Sequence, residues 1–198
     1  AGKHLAMLTT CKLNKFPINN YLDFDHPHQI KIRDVFSKFT EEKILLKNYG
    51  IDGCSAPQYS FKIKQLGKAL SNLYKSYNSE FEYSYNTKKM IDSILKNPLF
   101  IGGNKNLDSN LIKISNGSIF CKGGAEGVFL FINLKKGVFG ILKVKDGNER
   151  VLPSAVYSLF KKFKILKKDE LKQFISWDNF NLYNHAKTKI GNIVTIIE

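Results

Sequence analysis

The apolar positions of this 198-residue chain change their period partway along it. Over residues 2–11, Leu5 and Leu8 stand three apart with Ala6 and Met7 beside them, which predicts a short helix. The stretch from Tyr21 through Asp23, Asp25 and His26 to Pro27 reads as a turn opening a second helix. Pro27 suits its first position, having no N–H to lose there, and Ile30, Asp34, Val35 and Phe39 keep roughly helical spacing. Residues 41–49 fit a helix end or a strand equally. Leu66, Ala69, Leu70, Leu73, Tyr74 and Tyr77 follow the i, i+3, i+4 pattern most closely and predict the clearest amphipathic helix. Another over 87–96 turns Met90, Ile91, Ile94 and Leu95 inward and stops at Asn97-Pro98, because proline disfavours helical backbone in the residue before it.

From Lys122 the pattern becomes strand-like. Residues 128–134 and 138–144 are β-rich runs separated by Lys135-Lys136-Gly137, and Asp146-Gly147 marks the next turn, so a hairpin or meander is expected with Phe129 and Ile141 in its core. Pro153 opens a helix to about residue 163, Asp169 begins a short one, and 193–197 reads as a closing strand. Helices flanking an antiparallel sheet make the fold class α+β. No Gly/Ser- or Pro-rich linker divides the chain, so residues 1–198 form one domain or the C-terminal portion of a longer one. A start directly in helix, with no preceding strand or cap, favours the second.

Charge changes this picture little. The net charge of +14 comes from 29 Lys and only two Arg, Arg33 and Arg150, and Arg is the residue that grips phosphate and guanine through two parallel bonds. The lysines are scattered, which fits solvated faces and excludes nucleic acid as the expected partner. No apolar run approaches the ~20 residues needed to span a bilayer, so no membrane is expected. The first residues lack a secretory signal, and three cysteines, Cys11, Cys54 and Cys121, have no framework spacing, which together favour the cytoplasm.

Candidate chemistry gathers in three stretches: Gly2-Lys3-His4, Ile51-Asp52-Gly53-Cys54-Ser55-Ala56-Pro57, and Cys121-Lys122-Gly123-Gly124-Ala125-Glu126-Gly127. An acid, a glycine, a thiol and a hydroxyl closed by proline are loop chemistry that supplies ligands, and the three stretches are expected to converge. Lys122-Gly123-Gly124 beside an antiparallel run has the placement of the Lys-Thr-Gly element of β-lactamases and penicillin-binding proteins, where a strand presents a lysine to a serine. Taken alone, the tripeptide equally suits a surface lysine before a glycine turn. Spacing alone makes Cys54 a small buried residue and His4 a satisfied histidine, since a zinc site needs about four ligands at recognisable spacing. Asp23, Asp25, His26 and His28 read as a helix-opening turn, and Cys11 as core.

Together with Met7-Leu8, Tyr21-Leu22-Asp23, Asp25-His26-Pro27 and the terminal Ile190-Gly191-Asn192-Ile193-Val194, these stretches resemble the rhizobial-type L-asparaginase family in order and separation over nearly the whole chain. The resemblance implies a fold similar to serine β-lactamases and glutaminases, and hydrolysis of L-asparagine to L-aspartate and ammonia. It also implies a serine nucleophile activated by lysine, with zinc nearby. Lys122 matches the lysine that partners a serine; Lys3 and Cys54 match zinc ligands; Asp52 and His4 match positions lining the substrate pocket. Glu126 belongs to the third motif and is expected to orient the Lys122 loop. Where the family reads Cys-Ser-Gly-Lys-His, Ala1 replaces the serine, and the third zinc ligand and the Ser-x-x-Lys element would precede residue 1. The chain is then expected to be a fragment, one chain of a split enzyme, or a non-catalytic degenerate relative acting as a binding protein. Another serine amidase or peptidase of the same fold stays open as an alternative, as does a homodimer or a missing N-terminal segment as partner.

Overall fold

A computed structural model of the chain describes residues 2–178 and 180–198, so Ala1, the departure from the family motif, lies outside the described residues. The chain falls into two compact units that meet in sequence between Leu73 and Tyr74, inside one helix and without a linker. Among the described residues no helix is long and apolar enough to cross a membrane.

In the first unit α1 (Gly2–Leu13) buries Met7 and Cys11. It packs with α2 (Pro27–Thr40), whose buried Gln29 donates to the Met7 sulfur at 3.5 Å and to the Tyr21 carbonyl at 2.8 Å. The turn before α2 works as its composition predicts. His26 Nδ1 accepts the His28 N–H at 3.1 Å, Pro27 follows in the first turn, and Glu41 closes the helix with left-handed backbone. Residues 41–48 are loop and a single 3₁₀ turn, which resolves their ambiguity; β1 (Tyr49–Ile51) then pairs with β2 (Pro57–Tyr59) as a short hairpin. Phe24 meets Tyr49 and Phe36 meets Tyr59 edge-to-face around it, Tyr49 and Tyr59 lie tilted against each other, and Arg33 lies 3.7 Å over the Phe24 ring. The clearest predicted helix, α3 (Ile63–Tyr77), is present, but two of its deepest side chains are polar. Asn72 donates to the Phe39 carbonyl at 3.0 Å and to Glu41 at 3.1 Å, and Ser76 bonds the Glu82 carbonyl and Thr87. Satisfied partners let such groups be buried at small net cost.

The second unit carries the main core. α4 (Ser84–Lys96) buries Ile91 and leans Ile94 and Leu95 on that core; Met90 is 47 % exposed, which corrects its inward placement. Two short helices that apolar spacing did not reveal follow, α5 (Leu99–Gly102) and α6 (Leu107–Ile114). The sheet is a three-stranded antiparallel meander: β3 (Ile119–Gly124), β4 (Val128–Asn133) and β5 (Val138–Lys143). β3 was missed because glycines and a lysine break its β-branched run. Period-two alternation turns Ile119, Cys121, Phe129 and Phe131 toward α6 and α7 (Leu152–Lys162), where Leu111, Ile112, Val156 and Phe160 close a dry core. Phe131 meets the Phe160 ring edge-on at 4.8 Å, and Gly140, its partner on β5, leaves the room its ring occupies. By the same alternation Leu142, not Ile141, faces this core, since Ile141 pairs with Leu130 on the opposite face. After α8 (Lys168–Lys172), β6 (Phe180–Tyr183) and β7 (Lys189–Ile193) form a separate hairpin. The closing strand therefore ends at Ile193, where it was expected to begin. Small antiparallel sheets with helices beside them make the fold α+β.

Candidate active site

Two of the three motif stretches meet at the β1–β2 loop of the first unit. Asp52 ends the hairpin, and four donors converge on its carboxylate. Oδ1 accepts the N–H of Cys54 at 2.8 Å and of Ala56 at 2.9 Å; Oδ2 accepts Gln58 Nε2 at 3.1 Å and Lys3 Nζ at 2.5 Å. A side chain that caps its own loop this way supplies the acceptor that five residues of tight backbone cannot. The Lys3 bond first, and the Ala56 N–H next, hold the Asp52 carboxyl well below the usual carboxylate range. Lys3 lies in the first turn of α1, and His4 beside it shares a 2.6 Å hydrogen bond between Nδ1 and the Tyr21 hydroxyl. Cys54 is exposed and its thiol free, so its reading as a buried small residue is corrected; Ala56, 1 % exposed, takes the inner position of the loop.

One carboxylate thus holds Lys3 through Oδ2 and the Cys54 backbone through Oδ1, placing an amine and an accessible thiol around the same loop. Amine and thiolate are donors that suit zinc, and in that respect the residues present fit two of its ligands. Lysine can ligate only when neutral, whereas its contact with Asp52 is an ion pair. Among the described residues no group of three His, Cys, Asp or Glu side chains is arranged to hold a metal.

The third stretch belongs to the second unit and has its own partner. Lys122 lies on β3, an edge strand of the described sheet, and its Nζ is 3.3 Å from Asp108 Oδ2 while also donating to the Gly123 carbonyl. The same Oδ2 accepts the Gly123 N–H at 3.2 Å, an edge-strand amide that needs a partner off the ladder. Asp108 sits in the first turn of α6, is 4 % exposed, and accepts the Ser109 N–H at 2.9 Å through Oδ1. The adjacent Cys121 is fully buried, and burial pushes its thiol far up, with Asp108 adding to the effect; it is core and not nucleophile. Glu126 stands in the β3–β4 turn with φ 61°, followed by Gly127 at 64°. Its backbone carbonyl accepts Lys143 Nζ at 2.7 Å, and its carboxylate lies against Gly147. The carboxylate touching Lys122 is therefore Asp108, fourteen residues upstream. Asn106 followed by Leu107, Asp108, Leu111 and Ile112 could have signalled α6, but not its docking on β3.

A cleft of about 360 Å³ opens beside this pair, lined by Asp108, Lys122, Gly123, Gly124 and Glu149 among others. A lysine with two backbone-exposing glycines at the wall of a cleft can bind an anionic group, or move a proton for a substrate seated there.

No curated protein matches the sequence significantly. The family model of L-asparaginase II matches residues 1–195, a span that includes the Asp52 loop, the Lys122 strand and every motif residue named above. The chain belongs to the L-asparaginase II family.

Proposed function

We propose that this chain contributes the lysine base and the substrate-recognition residues of an amidohydrolase that converts L-asparagine and water to L-aspartate and ammonia, on a fold of the serine β-lactamase and glutaminase kind. The observation that carries the reading is the Lys122 amine, held on an edge strand beside two glycines at the wall of a cleft. Family membership supports the reaction class.

In this reading the nucleophilic serine lies outside these 198 residues. Its Oγ–H proton passes to the unprotonated Lys122 amine as Oγ attacks the side-chain amide carbon. The tetrahedral adduct collapses with cleavage of the C–N bond, and Lys122 returns the proton to the departing nitrogen, which leaves as ammonia. Water then gives a proton to Lys122 and its oxygen to the acyl carbon; as the C–Oγ bond breaks Lys122 returns that proton to Oγ, releasing aspartate and restoring both the serine and the unprotonated lysine. By resemblance Asp52 and His4 recognise polar ends of the substrate, the carboxylate being suited to the α-ammonium, and Glu126 is a further recognition residue. Lys3, once it has given up its ion pair with Asp52 and lost a proton, and Cys54, as thiolate, would be two of the ligands of a zinc ion, which would supply a fixed positive charge.

The test is ammonia release from L-asparagine by the full-length protein. Lys122→Ala should lower kcat/KM by about 10³-fold or more, as loss of one member of a cooperating set does. Hydrolysis that persists in Lys122→Ala within a few-fold of wild type would overturn the reading.

A further inference from the structure

We propose that Asp108 is the positioning residue for Lys122: it holds the amine at the wall of the cleft. The inference rests on the reading of Lys122 as the base and adds a residue that no sequence motif singles out. In the structure two directions around Nζ are taken, one by Asp108 Oδ2 at 3.3 Å and one by the Gly123 carbonyl. Both contacts are made where Asp108, Lys122 and Gly123 line the cleft together, so the amine is tied to its wall from two sides.

The carboxylate is itself held rigidly. Its Oδ1 is fixed by the Ser109 N–H and its Oδ2 by the Gly123 N–H, so the group that orients Lys122 is tied to the backbone of the strand that carries Lys122. Gly102 makes the space. A methyl group at that position would stand 2.5 Å from Asp108 Oδ1, closer than atoms can pack, whereas one at Gly123 would meet Oδ2 at an ordinary 3.7 Å. Asp108 is 4 % exposed, which keeps water from competing for Oδ2, while the Lys122 side chain stays 47 % exposed and reachable by substrate. In this scheme Asp108 acts through Lys122.

The experiment compares Asp108→Asn, Gly102→Ala and Lys122→Ala in the full-length protein by two readouts. The first is kcat and KM for L-asparagine, with kcat expressed per active site by burst titration so that misfolded molecules do not count. Asp108→Asn presents an NH₂ group or a weaker acceptor to Lys122 and Gly123, and should lower kcat by about 10²-fold with KM within about threefold, the scale expected when a reacting group is misplaced by about 1 Å. Gly102→Ala keeps the carboxylate but crowds it, and should lower kcat in the same sense. The second readout needs no asparaginase activity: the rate at which acetic anhydride acylates Lys122, measured by peptide mass spectrometry against the other lysines. Released from Asp108, Lys122 should react several-fold faster in Asp108→Asn. A per-site kcat and a Lys122 acylation rate both equal to wild type in Asp108→Asn would overturn the inference. If Lys122→Ala keeps its activity while the acylation rate of Lys122 still rises in Asp108→Asn, the proposed function fails and the positioning contact stands.

Discussion

The protein contains two lysine–aspartate pairs built on opposite plans. Asp52 is 23 % exposed at its side chain and is satisfied by its own loop: two backbone N–H groups and Gln58 would remain on it if Lys3 were gone. Asp108 is 5 % exposed at its side chain, and a docked helix brings it to a strand that neighbours it only in space; the lysine supplies its one charged partner among the described contacts. A carboxylate solved locally can be read from a few consecutive residues and tolerates loss of its cation. One solved by tertiary packing cannot be read that way, and it makes the lysine matter to the fold.

The sharpest separation of the two pairs is by metal. Zinc bound to the full-length protein, measured by elemental analysis, should be largely lost in Cys54→Ser and Lys3→Ala and kept in Lys122→Ala. Equal zinc in all four proteins would remove Lys3 and Cys54 from any metal site. Stability separates them next. Lys122→Met leaves a buried carboxylate with backbone partners alone and should cost about 1–2 kcal/mol in urea unfolding. Lys3→Met should leave the midpoint unchanged within error, and a larger loss for Lys3→Met than for Lys122→Met would reverse the comparison. The smallest effect is in pH. Because the folded Asp52 value is depressed, its contribution to the loop is fully present above the ordinary value of 3.8 and is lost as pH falls below it. The Cys54 and Ala56 amide resonances should therefore hold steady through pH 4 and move only in stronger acid. A titration midpoint at 3.8 in the folded protein would mean that the loop does not hold the carboxylate as described.

What could be read in advance follows the same division. Helices whose register is set by near neighbours, α1, α2, α3 and α4, were legible from spacing, as were the Pro27 and Pro98 boundaries. So were the two β-rich runs, whose alternating Phe129 and Phe131 announce a core face. The Asp52 loop was legible as a site because its ligands are consecutive. β3 was hidden by Lys122, Gly123 and Gly124, and Asp108 was hidden because only the packing of α6 on β3 joins it to Lys122. Met90 was misplaced because it borders an apolar stripe whose deepest member is Ile91, and one step along a helix turns a side chain through about 100°.

The paired left-handed residues Glu126 and Gly127 have a consequence for how the chain finds its fold. They fix where the β3–β4 hairpin bends, and with it which residues of β3 share a side. A hairpin closed one residue out of step would carry Lys122 to the side now held by Cys121, which is fully buried. An ammonium there, among Ile112, Phe131 and Phe160, would cost several kcal/mol, more than a slipped ladder of six residue pairs could recover. The slipped hairpin is thus raised in energy by the Lys122 side chain, so the lysine proposed as the base also selects the correct strand pairing as the protein folds.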